Sequence, residues 1–121
     1  MTWDVYCAVL PSGWSVSVEG GGYDQSAGGI IRMSYEGPDG AKLHVDEGAF
    51  CHSDAATCSF GTVVGPASFG DLSGSLKTLP DGSLALYVNP GTDASYTLTG
   101  SDLSQNEFVA LAAAFAKVAK A

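Results

Sequence analysis

The sequence predicts an α+β domain, in which a curved antiparallel sheet of about six strands carries a C-terminal helix packed on one face. Two patterns lead to this prediction. Most of the chain consists of short stretches of alternating apolar and polar residues separated by glycine-containing turns, whereas helical periodicity occurs only near the C-terminus. Parallel neighbours need long crossovers, so the short turns favour antiparallel pairing. At 121 residues, the chain is expected to form a single domain, spanning 1–121.

The candidate strand segments follow one another along the first hundred residues. They lie within 3–9, 14–18, 31–35, 43–45, 62–64, 70–79, 84–88 and 96–99. The segments at 31–35 and 43–45 flank the turn Gly-Pro-Asp-Gly at 37–40. Because proline presets one turn dihedral and glycine tolerates positive φ, these two segments are predicted to pair as a hairpin.

A glycine-rich stretch at 20–29 has almost no apolar side chain and is predicted to be a flexible connection. Within it, Tyr23 and Asp24 provide an aromatic and a charged group that a ligand could contact. The competing interpretation is an ordinary connector with no binding role. Tyr23 and Asp24 are therefore the ligand-binding residues that the sequence predicts.

The C-terminal helix is predicted from its cap and its apolar stripe. Ser104 and Glu107 have the spacing of a capping box, in which each side chain bonds the backbone amide of the other residue. Apolar residues then recur at spacings of three and four, at Phe108, Leu111, Ala112, Phe115, Val118 and Ala119. Burial of the four largest would contribute roughly 6 to 12 kcal/mol as an upper estimate. We therefore expect the helix to dock on the sheet.

The three cysteines bear on the compartment. Cys51 and Cys58 are close enough in sequence for a local disulfide, which would stabilise the domain by roughly 2 to 3 kcal/mol and would indicate an oxidising, extracytoplasmic location. Cys7 is expected on the apolar face of its strand as a buried free thiol, although its pairing with Cys51 or Cys58 stays open. Zinc is the alternative, but six residues separate the last two cysteines and zinc knuckles usually have two to four.

The net charge of the chain indicates which kinds of partner it can bind. Thirteen acidic residues against five basic ones give a formal net charge of −8. This balance excludes the basic surface that nucleic-acid binding requires and favours a cationic protein or envelope component as partner. No apolar run is long enough to span a membrane, so no membrane span is predicted.

Motifs for covalent chemistry are weak. The sequence has two histidines, and no serine has the flanking glycines of a nucleophile elbow. His44 is expected on the strand face opposite Leu43 and Val45, at the surface or half-buried. The stretch at 65–70 has glycine spacing like that of a phosphate loop, but Asp71 stands where lysine would be needed. We therefore predict no catalytic residue, metal ligand or cofactor.

The order of these segments resembles a known family. Three segments show the resemblance: Leu-Pro-Ser-Gly-Trp at 10–14, Ile-Arg-Met-Ser-Tyr at 31–35 with its hairpin, and Tyr-Thr-Leu-Thr-Gly at 96–100, which leads into the capped helix. Together they look like an uncharacterised extracytoplasmic bacterial domain, found in secreted proteins, lipoproteins and the outer portions of anti-sigma and sporulation regulators. The resemblance implies sensing or binding of lipidic or envelope components, and it supplies no catalytic residue.

These observations lead to three functional hypotheses. The first is a non-enzymatic binding or sensing module that is secreted or otherwise extracytoplasmic. The second is a small secreted hydrolase whose site is assembled in three dimensions, which requires His44 or His52 beside an acid or a hydroxyl in a polar pocket. The third is an acidic inhibitor or immunity protein that blocks a basic partner through its negative surface.

Overall fold

The computed structural model describes residues 5–24, 30–48, 61–90 and 94–117. In chain order its elements are β1 (Tyr6–Cys7), β2 (Ser15–Asp24), β3 (Ile30–Glu36), a 3₁₀ turn (Pro38–Gly40), β4 (Lys42–Gly48), β5 (Thr62–Phe69), β6 (Leu72–Thr78), β7 (Leu84–Val88), β8 (Ser95–Ser101), α1 (Gln105–Ala113) and β9 (Ala116–Lys117). The described chain is thus mostly antiparallel sheet with one α-helix near its C-terminus, in agreement with the predicted α+β class.

Seven strands form one open sheet in the order β2-β3-β4-β8-β7-β6-β5, and every neighbouring pair is antiparallel. The remaining two, β1 and β9, form a separate two-stranded ribbon. The prediction of a sheet of about six strands was therefore too low, since this sheet has seven among the described residues, and the separate ribbon was not predicted. The predicted hairpin at 31–45 is confirmed, with Ser34 opposite His44 and Glu36 opposite Lys42.

The glycine-rich stretch forms a strand where a flexible connection was expected. Residues 20–24 belong to β2, and Tyr23 and Asp24 pair with Ile31 and Ile30 of β3. A register shift between Ser17 and Gly22 accommodates the extra residues as a bulge. Backbone hydrogen bonds between strands do not depend on apolar side chains. An edge strand can therefore include glycines that show no alternation of apolar and polar residues. The remainder of the predicted connection, 25–29, lies outside the described residues.

The helix begins as predicted and ends earlier. The Ser104 Oγ accepts the Glu107 N–H at 3.1 Å, and Glu107 Oε1 accepts the Ser104 N–H at 3.2 Å, which confirms the capping box. The chain leaves the helix at Ala114, and Ala116 pairs with Cys7 in the ribbon instead of extending the helix. In the ribbon, backbone groups of Ala116 and Lys117 form hydrogen bonds with β1. In a longer helix they would form them with other residues of the helix. Val118 and Ala119 lie outside the described residues.

The described residues of the predicted apolar stripe pack into the hydrophobic core. Phe108, Leu111, Ala112 and Phe115 are all buried on one face of the sheet. Phe69 lies at the centre of an aromatic cluster, with ring centroids 4.7 Å from Phe115 and 5.3 Å from Tyr96. Gly100 lets the helix approach closely, because a Cβ there would lie 2.6 Å from the Phe108 ring.

The N-terminal strand differs from its prediction. Of the described residues 5–9, Tyr6 and Cys7 alone are in strand geometry, and the Tyr6 ring is buried against Phe69 and Tyr96. Cys7 is an exposed free thiol, so the expectation of a buried one was wrong. The ribbon faces the core with Tyr6, which places the next residue on the solvent side. Cys51 and Cys58, with the disulfide predicted between them, lie outside the described residues. Among described helices, none is long and apolar enough to cross a membrane.

Candidate functional site

The sheet face opposite α1, here called the outer face, carries polar side chains that the strand alternation aligns in rows. Ser34, His44 and Thr99 occupy consecutive positions of one row across β3, β4 and β8. Arg32, Asp46 and Thr97 form the next row. Because core residues occupy the alternate positions, the fold that buries Leu43 and Val45 also brings these polar groups together on the other side.

Hydrogen bonds link Ser34, His44 and Asp46, which we call the polar relay, and Arg32 adjoins the relay at Asp46. The Ser34 Oγ lies 2.7 Å from His44 Nδ1, and His44 Nε2 lies 2.9 Å from Asp46 Oδ1. Arg32 Nε lies 3.2 Å from the same carboxylate oxygen. His44 is half-buried, as the sequence predicts, with 35% of its side chain exposed.

The polar relay is satisfied in both protonation states of the histidine. With a neutral ring, Nε2–H donates to Asp46 and Nδ1 accepts the Ser34 hydroxyl proton. With a protonated ring, Nδ1–H donates to the Ser34 oxygen and the Asp46 carboxylate neutralises the imidazolium. A neutral His44 ring bonded in this way directs its Nδ1 lone pair at the Ser34 hydroxyl, an arrangement suited to proton transfer from that hydroxyl.

A shallow groove of about 320 Å³, with both polar residues and the leucines at 43 and 79 in its lining, lies beside the relay. His44 contributes to its wall together with Lys42, Asp81, Ser83, Thr99 and Ser101. Asp81 is held by its own turn, since its Oδ1 accepts the Ser83 N–H at 3.0 Å and also the Ser83 hydroxyl. These bonds lower the pKa of Asp81, so its charge is fixed at the rim of the groove at neutral pH.

A second groove is apolar and lies on the helix side of the molecule. It has a volume of about 400 Å³ between the 9–14 segment and α1, and we call it the helix groove. Its walls are Val9, Leu10, Pro11, Trp14, Ala110, Leu111 and Ala114, with Glu107 as the charged member. Val9 is 59% exposed, so this groove presents apolar surface to the solvent.

The helix groove is shaped by local packing on both sides. Trp14 is positioned by Gly37, where any side chain would lie within 2.5 Å of the indole ring. On the other wall, Glu107 is held by the capping box, which uses one of its oxygens to accept the Ser104 N–H. A carboxylate offers about four lone-pair sites, so Glu107 keeps capacity to accept a hydrogen bond from a ligand.

One acidic side chain is buried in the core. Glu47 has no exposed surface, and its Oε1 accepts the Tyr6 N–H at 2.7 Å. Its Oε2 has no hydrogen-bond partner among the described residues. Burial raises the pKa of Glu47 to about 8, so the side chain is mostly neutral at pH 7. Glu47 lines neither groove, and its contact is structural: it ties the β1–β9 ribbon to β4.

Of the residues that the sequence predicts as sites, Tyr23 and Asp24 are in the edge strand β2, where they pair with Ile31 and Ile30 of β3. Cys51, Cys58 and His52 lie outside the described residues. Partial burial of the Cys7 sulfur, with a smaller effect of Glu47, raises the pKa of the thiol, and no cation among the described residues opposes this shift. No group of three metal-ligating side chains occurs among the residues described.

The relay was missed because each of its members is unremarkable in sequence. The signal was nevertheless present in the predicted hairpin. A turn centred on Asp39 places Ser34 and His44 at equal distances along the two strands, and Asp46 lies two residues further on the same face. The helix groove had no comparable signal, since the position of the 9–14 segment depends on Trp14 packing on Gly37.

Comparisons with protein-family models, curated proteins and solved structures find no match for this chain.

Proposed function

We propose that this chain is an extracytoplasmic binding domain that takes a cationic amphipathic segment of a protein partner in the helix groove. The observation that carries this proposal is the groove itself: exposed apolar side chains from the 9–14 segment and α1, with the Glu107 carboxylate beside them. Ligand sites are commonly concave and mostly apolar, with a few polar groups that set orientation.

Charge supports the class of partner. The net charge of −8 attracts cations over a distance of about one Debye length, roughly 8 to 10 Å at physiological salt. Glu107 would pair with a lysine or arginine whose neighbouring apolar side chains enter the groove. The extracytoplasmic part of the proposal depends on the predicted bridge between Cys51 and Cys58 and on the family resemblance.

A charged side chain placed inside the groove tests the proposal. The probe is a fluorescent peptide of leucine and lysine, and a leucine–glutamate peptide of the same length serves as the opposite-charge control. We expect Ala110→Arg to weaken binding of the cationic peptide at least about tenfold, because it fills the groove and repels the ligand. Ala113→Arg is the matched control, since Ala113 is exposed on the same helix but does not line the groove.

The charge of Glu107 can be removed without loss of the helix cap. Glutamine also serves in a capping box, so Glu107→Gln is expected to keep the fold and to lower affinity for the lysine peptide. Glu36→Gln, on the outer face, is the control for a general loss of negative charge. Equal binding of the two peptides, or equal affinities of the Ala110→Arg and Ala113→Arg variants, would contradict the proposed site.

A further inference from the structure

We propose that Ser34 is a nucleophile, that His44 is its general base, and that the polar relay accepts acyl groups from small activated esters. This inference goes beyond the proposed function, since it assigns covalent chemistry to the outer face and does not involve the helix groove. It rests on two distances, 2.7 Å from Ser34 Oγ to His44 Nδ1 and 2.9 Å from His44 Nε2 to Asp46 Oδ1. Both fall within hydrogen-bond reach for general-base catalysis.

The Asp46 carboxylate determines the roles of the other two side chains. It accepts a hydrogen bond from His44 Nε2–H and so favours the tautomer with hydrogen on Nε2. The lone pair of Nδ1 is then directed toward Ser34. Arg32 Nε lies 3.2 Å from the same Asp46 oxygen and helps to hold the carboxylate in place. In this chain the serine meets Nδ1 and the carboxylate meets Nε2. Such constellations are recognised by geometry and roles, and either imidazole nitrogen can act as the base.

The reaction balances with an ester and water alone. Ser34 Oγ adds to the carbonyl carbon of the ester while its proton passes to His44 Nδ1. The bond from that carbon to the leaving oxygen then breaks, and the departing phenol or alcohol takes the proton from Nδ1. Water attacks the acyl-serine with His44 again as base, which releases a carboxylic acid and restores the Ser34 hydroxyl.

The surroundings of the relay limit its substrates. Strand β4 pairs with β3 on one edge and β8 on the other without a register break, so the ladder uses the backbone amides around His44. Ser34 lies on β3 beside the register shift of the β2–β3 pair, and the nearest cationic side chains along these strands are Arg32 and Lys42. Oxyanion donors often supply a large part of catalysis, so a site with no dedicated set of donors on an open sheet face needs an ester with a good leaving group.

Covalent labelling of the full chain tests this proposal. The probes are 4-nitrophenyl acetate and an alkyl fluorophosphonate, and peptide mass mapping identifies the modified serine. We expect Ser34 to react roughly 100 times faster than Ser75, a half-buried serine on the same face, because general-base assistance typically contributes 10²- to 10⁴-fold. Ser34→Ala removes this label, whereas Ser75→Ala leaves it unchanged.

His44→Gln is expected to slow labelling of Ser34 about 100-fold while its thermal midpoint stays close to that of the native protein. Nitrogen-15 NMR of the unmodified protein provides a measurement independent of any variant: the neutral ring should carry its proton on Nε2. Labelling spread evenly over several serines, an unchanged rate in His44→Gln, or a proton on Nδ1 would each overturn the proposal.

Asp46 acts through His44 and is therefore a positioning residue. Asp46→Asn should weaken the Nε2–H preference seen by nitrogen-15 NMR and slow labelling at least about tenfold, because an amide can donate to the ring and stabilise the other tautomer. An unchanged tautomer with an unchanged rate would show that the carboxylate has no such role. Ala110→Arg should not alter labelling and Ser34→Ala should not alter peptide binding, so failure of either proposal is distinguishable from failure of the other.

Discussion

At the scale of single residues, Glu47 is the feature with the clearest energetic consequence. Its carboxyl group is fully buried, accepts one backbone bond from Tyr6 and has a second oxygen with no partner among the described residues. A buried carboxyl avoids the cost of burying a charge by remaining protonated. The folded state therefore holds a proton on Glu47 through a pH range in which the unfolded chain has lost it.

We predict that the free energy of unfolding decreases between pH 5 and pH 8 because of Glu47. Its pKa is raised from 4.5 to about 8. The stabilisation is therefore complete below the unfolded value and is lost as the pH rises through the folded one. At about 1.4 kcal/mol per pKa unit, the loss is on the order of 4 kcal/mol. Urea denaturation at several pH values measures it.

Glu47→Gln is the control for this pH dependence. The amide keeps an acceptor for the Tyr6 N–H and does not titrate, so the variant should match the native protein near pH 5 and exceed its stability near pH 8. Parallel stability curves for the two proteins across this range would show that Glu47 is not the titrating group.

At the scale of elements, the helix provides much of the core and one wall of the helix groove. Phe108 is fully buried, and Gly100 allows its ring to approach the sheet. The capping box and apolar stripe were predictable because they depend on contacts three or four residues apart. The end of α1 was not, because the pairing of Ala116 with Cys7 joins residues more than a hundred positions apart.

The same distinction applies to the strands and the relay. The hairpin at 31–45 was predicted from its local turn, and its register already places Ser34 opposite His44. The strand character of 20–24 was not predictable from local patterns, since it comes from pairing with β3 and not from side-chain alternation.

We predict that Phe108→Ala lowers the free energy of unfolding by about 3 to 5 kcal/mol, because it removes a fully buried ring and leaves a cavity. Val109→Ala is the control, because Val109 is next to Phe108 in sequence and its side chain is only partly buried against the core. Denaturant unfolding of both variants gives the comparison. A loss at position 108 no greater than at 109 would show that the helix does not close the core.

At the scale of the whole molecule, charge is unevenly distributed. Of the five basic residues, Arg32, Lys42 and Lys77 lie on the outer face of the sheet, which leaves two for the rest of the chain. Two carboxylates of described strand residues, Glu36 and Asp46, share that face with these cations, so the described strand side chains there carry no acidic surplus and a neutral ester suits the relay. The charged side chain of the helix groove is a carboxylate, which favours a cationic partner there.

The thiol count tests the compartment in which the whole protein is proposed to act. With the predicted bridge between Cys51 and Cys58, alkylation of the native protein without reductant modifies one thiol, at Cys7, which is exposed. Its raised pKa makes that reaction slow at neutral pH. Reduction followed by alkylation should modify all three cysteines. Three modified cysteines without reduction would remove the support for an oxidising environment.

The most direct test of the binding account is an NMR titration of the nitrogen-15-labelled protein with the leucine–lysine peptide. We predict chemical-shift changes concentrated at Leu10, Trp14, Ala110 and Ala114 in the helix groove, with Ser34 and His44 unaffected. The changes should diminish as salt is raised, because screening weakens the attraction between exposed charges. Shifts centred on the outer face, or none at saturating peptide, would contradict the account.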